Sequence, residues 1–216
     1  MRSSEVESSQ TSPHPHLQEV VQKHLVTQFR KPYAHHTQEA FQQVEETIRN
    51  ALKEKTPLIL DSCCGTGEST AHLAKVYPDA LLIGVDKSAH RLGKTPLLPA
   101  NALVLHADVI DFWRLCRDAD IRFTKLCLLY PNPYPKPEHL LRRWHGHPVF
   151  PVLLQIAETI ELRSNWQLYA EEFACALQLA GRANVRCEEF HPQNIVSPFE
   201  RKYNASGHRL WRVCSS

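Results

Sequence analysis

Apolar positions recur along this chain with two different periods, and the change falls near Pro57. Before it the spacing is helical. Leu17, Val20, Val21, Leu25 and Phe29 share one face, which predicts a helix over 16–29 ended by Pro32. Thr37 to Leu52 repeats the pattern through Ala40, Phe41, Val44 and Ile48. Thr37 is placed to cap this second helix, although the glutamate that would complete a capping box three residues on is missing. After Pro57 the apolar residues gather into short runs separated by helical stretches. Strands are expected at 58–60, 81–85, 103–106, 125–130, 159–163, 185–190 and 208–213. Helices are expected after Gly67 through Tyr77, at 89–92, 109–117, 150–156 and 166–179. Strands alternating with helices predict an α/β fold, with a mainly parallel seven-stranded sheet and helices on both faces.

The length of 216 residues suits one domain over 16–216, with two leading helices at 16–54 and the α/β core at 55–216. Residues 1–15 are polar and rich in Ser, Gln and Pro, so they read as a flexible tail without a signal-peptide stretch. No apolar run reaches the roughly 18 residues of a membrane span, and a cytoplasmic protein, favoured as a monomer, is expected. Seven cysteines include no C-x-x-C pair, which favours reduced thiols, with Cys116, Cys127 and Cys175 as small core residues. The histidine pairs His14/His16, His35/His36 and His145/His147 lack the company of a metal site, so no metal is expected. Net charge is only +2, but Arg142 and Arg143, and Arg201, Lys202, His208, Arg209 and Arg212, form two basic clusters suited to phosphate.

Candidate chemistry collects where strands end. In open parallel sheets, ligands bind outside the carboxyl ends of the strands. The first strand runs into Asp61-Ser62-Cys63-Cys64-Gly65-Thr66-Gly67, where Gly65 and Gly67 permit positive φ and close backbone approach. Asp86, 19 residues after Gly67, ends the second strand and suits the ribose hydroxyls of an adenosine, with Ser88 as a rival helix cap. Asp108 and Val109 follow the third strand and suit an adenine ring. Asp61 is placed for an ammonium group. A dinucleotide would need G-x-G-x-x-G and a pyrophosphate beside Glu68, whose charge opposes it. The cationic, phosphate-free S-adenosylmethionine meets neither objection.

After the fourth strand comes Tyr130-Pro131-Asn132-Pro133-Tyr134-Pro135-Lys136-Pro137, followed by His139 and Arg142-Arg143. This stretch resembles the P-D-P-W-P-K…H…R-R motif of the bacterial tRNA (guanine-N7-)-methyltransferases. Ser164-Asn165-Trp166 with Tyr169 resembles that family's T-D-W…Y motif, and Ser197-Pro198-Phe199-Glu200-Arg201 its T-x-F-E-x-R motif. Gly207-His208 with Trp211 matches the glycine, histidine and aromatic that follow, so the likeness runs from about Leu58 to Val213. The resemblance implies a Rossmann-like class I methyltransferase fold, S-adenosylmethionine as methyl donor, and tRNA as partner. It puts Asp61, Gly65, Gly67, Asp86, Asp108, Val109 and Asn132 at the donor. Lys136, Asn165, Tyr169, Ser197, Phe199 and Glu200 fall at the acceptor, and Arg142 and Arg143 at RNA phosphates.

The chain departs from the family's pattern at Asp61 (usually Glu), Cys63 (usually Gly), Asn132 and Asn165 (both usually Asp), and lacks a glycine turn between Ile156 and Thr159. Guanine N7 has a lone pair and no proton, so its methylation needs no general base. Asparagine in place of aspartate lowers charge stabilisation by about 1–3 kcal/mol without removing the acceptor atom. Two other readings stay open. Asn132-Pro133-Tyr134 partly matches the N-P-P-Y loop of amino-methyltransferases, and loss of two aspartates suits a non-catalytic scaffold or partner-binding subunit that retains the fold.

Overall fold

The computed structural model describes residues 3–216. Two helices come first, α1 (Leu17–Leu25) and α2 (His35–Lys53). The α/β core follows as β1 (Leu58–Ser62), α3 (Glu68–Val76), β2 (Leu81–Asp86), α4 (Ala89–Leu92), β3 (Ala102–His106), α5 (Val109–Asp118) and β4 (Phe123–Leu129). It ends with α6 (Phe150–Ile156), β5 (Ala157–Ser164), α7 (Gln167–Leu179), β6 (Arg186–Glu189), α8 (Pro198–Ala205) and β7 (Trp211–Ser215). The seven strands form one sheet in the order β3-β2-β1-β4-β5-β7-β6. β7 runs antiparallel to both β5 and β6, and every other pairing is parallel.

Strand alternation divides the core. Leu58 and Leu60 join the larger cluster with Ile83, Leu126 and Phe173, while Ile59 joins Leu82, Cys127 and Leu73 beneath α3. Successive side chains on a strand point to opposite faces, so one short apolar run serves both layers. Trp113, Phe112 and Phe150 are fully buried in the larger layer. Among the described residues no helix is long and apolar enough to cross a membrane.

Several expectations need correction. α1 stops at Leu25, and Val26 is 85% exposed, so Phe29 does not continue the helical face. It lies instead in an extended segment, edge-on to His147 and under the Arg114 guanidinium. Thr37 does not cap α2, which begins two residues earlier after Ala34. Thr37 is buried, and its hydroxyl accepts the Asp108 N–H at 3.0 Å. α8 was not anticipated, although Ser197 caps it by accepting the Glu200 N–H and Pro198 occupies its first turn. The missing glycine turn has a direct consequence, because α6 passes straight into β5 at Ala157. Arg182 donates to Leu154 O at 2.6 Å and to Ala157 O, giving those carbonyls the partners a turn would otherwise supply. The segment read as a free tail is laid along the domain, with hydrogen bonds from Ser8, Gln10 and His14.

Candidate active site

The loop between β1 and α3 is shaped by three positive φ angles, at Cys63 (61°), Gly65 (63°) and Gly67 (74°). Gly65 faces open space, since a Cβ there would meet nothing within 4 Å. Gly67 is confined, and a Cβ would come within 3.1 Å of Thr95 and Val104. Cys63 holds the left-handed conformation without a glycine's freedom, at a cost of about 1–2 kcal/mol. The surrounding protein, then the Asp86 and Asp61 carboxylates, push its thiol up to about 12.

Asp61 lies at the bottom of this loop, only 1% exposed. One carboxylate oxygen, Oδ2, accepts the Ser69 hydroxyl at 2.6 Å and the Thr70 hydroxyl at 2.7 Å. The other, Oδ1, is buried and has no hydrogen-bond partner. Burial outweighs the two hydroxyl bonds and raises the carboxyl to about 6, with a smaller push from Asp86. A buried acceptor left unpaired is costly unless a ligand meets it. Thr70 also stands where a dinucleotide loop has its third glycine, and it is committed to Asp61. Glu68 is paired with Arg201 of α8, so the missing glycine argues against a pyrophosphate more firmly than the Glu68 charge does.

Asp86 ends β2 and is also 1% exposed. Its Oδ2 accepts the Gly65 N–H at 2.9 Å, which ties the second strand to the donor loop. Its Oδ1 accepts the Ser88 N–H and the Arg91 guanidinium, each at 2.8 Å. Ser88 caps α4 through the Arg91 N–H, so Asp86 is free of the capping role that was its rival reading. Asp108 does cap its helix, accepting the Ile110 and Asp111 N–H groups, while Val109 is buried beside it. The unpaired Asp61 oxygen, the open face of Gly65 and the Asp86 carboxylate fit S-adenosylmethionine, which offers an ammonium, a sulfonium and ribose hydroxyls. Two hollows, of about 330 Å³ beside Asn50 and Asn101 and about 370 Å³ beside Phe29 and Pro151, lie away from these carboxylates.

The loop after β4 extends from the same carboxyl edge of the sheet. Asn132, Lys136 and Arg142 are exposed, and the Arg142 guanidinium lies 5.9 Å from the Tyr134 ring centroid. Asn132 Oδ1 accepts the Tyr134 N–H at 3.2 Å, a turn formed by its own side chain. Tyr130 and Tyr134 both have positive φ, so the loop is bent twice without glycine. Asn165, after β5, is 3.2 Å from His208 Nδ1. Phe199 is 44% exposed and stacks on Tyr203, which stacks in turn on His208.

Other expected acceptor residues are withdrawn from solvent. Arg143 is fully buried against Glu172 at 2.5 Å and does not reach an RNA phosphate. Tyr169 is fully buried, and its hydroxyl accepts the Trp144 N–H. Glu200 is fully buried and accepts from Tyr130 Oη and Arg163 Nη1, both at 2.8 Å, and from the Val196 N–H. Ser197 is spent on its helix cap. Much of the C-terminal basic cluster is paired on the surface, Arg209 with Glu189 and Arg212 with Glu188. Ser69, Thr70, Arg91 and Glu172 escaped the sequence reading. Ser69 and Thr70 carry a weak signal as hydroxyls following the donor loop, whereas nothing in the spacing links Arg143 to Glu172.

The model of a family described as putative methyltransferase matches residues 55–213. The tRNA (guanine-N(7)-)-methyltransferase of Stutzerimonas stutzeri (strain A1501) is 29% identical over 163 residues, covering 68% of this chain and 67% of that protein. The chain spans 65% of the like-named protein of Pseudomonas paraeruginosa, just under two thirds of its length. The like-named protein of Acidithiobacillus ferrooxidans is 27% identical over 179 residues, 77% of this chain and 78% of its own. Among solved structures, a 16S rRNA (adenine(1408)-N(1))-methyltransferase from Catenulisporales acidiphilia aligns at TM-score 0.55 and 15% identity, over 79% of this chain and 89% of that one. The 16S rRNA methyltransferase KamB aligns at 0.55 and 16%, over 86% and 94%. At these identities the structural likeness is one of fold.

Proposed function

We propose, for a chain that belongs to the family of putative methyltransferases, that it moves the methyl group of S-adenosylmethionine to N7 of guanine in tRNA. The chain is an S-adenosylmethionine-dependent methyltransferase of Rossmann-like, class I fold. Its acceptor and the roles of its residues are the proposed part. The observation that carries the reading is the buried Oδ1 of Asp61, which has no hydrogen-bond partner, on the strand that leads into the loop where Gly65 faces open space.

When bound, S-adenosylmethionine supplies a methyl group on a positively charged sulfur. Asp61 Oδ1 takes the ammonium group, Asp86 the ribose hydroxyls, and Asp108 with Val109 the adenine. Guanine N7 brings a lone pair and no proton, so the chain has no proton to remove, and its contribution is alignment and exclusion of water. Asn132 presents an amide at the guanine edge and stabilises the charge that builds on the ring. Lys136, Arg142 and the exposed Phe199 meet the RNA, the cations at phosphate and the ring at a base. A cytoplasmic site of action accompanies a tRNA substrate, and the names of the relatives support that substrate.

Amino-methyltransfer through Asn132-Pro133-Tyr134 is the second reading, because the tyrosine comes one position early for the N-P-P-Y loop and a proline follows it. The test is incubation with labelled donor and bulk tRNA, followed by digestion to nucleosides. Label is expected in 7-methylguanosine; label confined to an N6- or N4-methylated base would refute the assignment. Absence of donor binding in calorimetry would leave a scaffold.

A further inference from the structure

The acceptor loop holds itself by only a few local bonds, the Tyr134 N–H on Asn132 Oδ1 and the His139 N–H on Lys136 O at 3.0 Å. Pro133, Pro135 and Pro137 have no N–H, so the stretch before the 3-10 turn at Pro137–Arg142 forms no strand ladder, and the Tyr134 and Pro135 carbonyls take side-chain donors from elsewhere. They find them in a buried cluster. Arg143 Nε donates to Tyr134 O at 3.2 Å, Ser8 Oγ donates to Pro135 O at 2.5 Å, and Arg143 Nη2 donates to Lys136 O at 3.3 Å. Three consecutive carbonyls are thus held, beginning at the left-handed Tyr134.

The guanidinium is fixed in its turn. Nη1 donates to Glu172 Oε2 at 2.5 Å, Nη2 to Gln10 Oε1 at 2.9 Å, and the Trp166 ring centroid lies 5.0 Å from its carbon. Glu172, fully buried on α7, also accepts from Gln10 Nε2 at 2.6 Å and the His14 N–H at 2.8 Å. His145 Nε2 lies 3.0 Å from Glu172 Oε2, the oxygen that Arg143 also meets, while Gln10 and His14 share Oε1. The N-terminal segment therefore closes over the ion pair and, through Ser8, touches the loop directly. Ser3 anchors the start of this segment, donating to Ser206 Oγ at 2.9 Å while its carbonyl lies 3.0 Å from His208 Nε2.

We infer that Arg143, Glu172 and the Ser8–Gln10 stretch are positioning residues for the acceptor, acting through the backbone of Tyr134 to Lys136 rather than by touching RNA. A buried ion pair is a weak device for stability, since apolar side chains of similar volume do as well. A planar fork that reaches two loop carbonyls, a carboxylate and an amide is a strong device for geometry. The carbonyls it holds lie between Asn132 and Lys136, the residues proposed to meet guanine and RNA. The inference rests on the proposed methyltransfer to RNA, but the loop's order is measurable without it.

The experiment uses the full chain with Gln10→Ala, Ser8→Ala and Arg143→Lys. Gln10→Ala leaves the Arg143–Glu172 pair in place, and Arg143→Lys keeps the charge but loses the fork. Hydrogen–deuterium exchange of 130–143 is expected to speed up in all three variants. KM for tRNA should rise about tenfold, while the donor Kd stays within about twofold of the parent. Arg143→Lys should not rescue KM, which separates a fork from a point charge. Unchanged exchange would overturn the inference, as would faster exchange with an unchanged KM or a parallel loss of donor affinity. If the parent methylates no RNA, the proposed substrate fails on its own. Exchange then decides whether the cluster holds the loop.

Discussion

Arg91 closes on Asp86, the carboxylate proposed to meet the donor's ribose. Its Nη2 lies 2.8 Å and its Nε 3.3 Å from Oδ1, the oxygen that also accepts the Ser88 N–H. The carboxylate is buried, whereas the Arg91 side chain is 43% exposed. Arg91 therefore occupies the lone pairs proposed for a ribose hydroxyl, and it has solvent to swing into. An exposed guanidinium on a carboxylate is worth about 1 kcal/mol or less. Arg91→Ala should thus tighten donor binding by up to about fivefold in calorimetry. A looser complex would mean that Arg91 orients Asp86 for the donor instead.

If Asp61 takes the donor's ammonium, as proposed, its titration sets a pH limit on donor binding. Its carboxyl in the free protein titrates at about 6, and only the charged form attracts an ammonium. Donor Kd should be flat above about pH 6 and rise about tenfold per unit below it. Asp61→Asn should bind weakly at every pH and lose that slope. A parent whose Kd stays constant down to about pH 5 would remove Asp61 from the ammonium site.

Asn132→Asp should raise guanine-N7 methylation by about tenfold or more, since a full charge returns where positive charge builds on the ring. The turn should survive, because a carboxylate oxygen accepts the Tyr134 N–H as the amide oxygen does. Single-turnover rates on tRNA make the comparison. A rate equal to the parent's would place residue 132 away from the guanine edge.

Cys63→Gly should stabilise the fold by about 1 kcal/mol. A left-handed non-glycine residue costs about 1–2 kcal/mol, from which the larger chain entropy of glycine in the unfolded state is subtracted. Urea unfolding reads the difference, and a less stable variant would show that the thiol's packing outweighs the strain.

Acid should weaken the protein in two stages. Burial, with the neighbouring charges of His24 and Lys31 adding to it, holds His147 down at about 4. The unfolded chain takes up that proton near 6.5, so stability falls as pH drops from about 6.5 to 4. Glu172 acts lower. Burial alone would raise it, but its bond to His145, the charges around it and its partner Arg143 hold it at about 2. Its contribution is complete above the unfolded value near 4.5 and is lost as pH falls toward 2. Asp61, raised to about 6, opposes the first stage, because the folded form gains the proton more readily. His14, His24 and His145 are lowered by burial as His147 is, so the net trend in urea midpoints should be downward. His147→Phe should flatten the upper window.

Sequence by itself determined what depends on neighbours along the chain. Short apolar runs marked all seven strands to within a few residues, because inner parallel strands such as β1 and β2 are buried on both faces and read as continuous apolar stretches. The same runs placed Asp61 and Asp86 at strand ends, and Gly65 and Gly67 in a turn that does take positive φ. Capping chemistry was equally local. Ser197-Pro198-Phe199-Glu200 carried the signature of a helix start, which went unread because the same residues matched an acceptor motif. Tertiary structure alone decided which charges face solvent. Arg142 and Arg143 are adjacent in sequence, yet one is exposed and the other is buried on Glu172, 29 residues away. Glu200 meets Arg163 at a separation of 37, Thr37 meets Asp108 at 71, and Gln10 meets Glu172 at 162. Periodicity records which face of an element is apolar. It does not record which distant polar group will share that face, and a buried charge survives only where the fold brings it a partner.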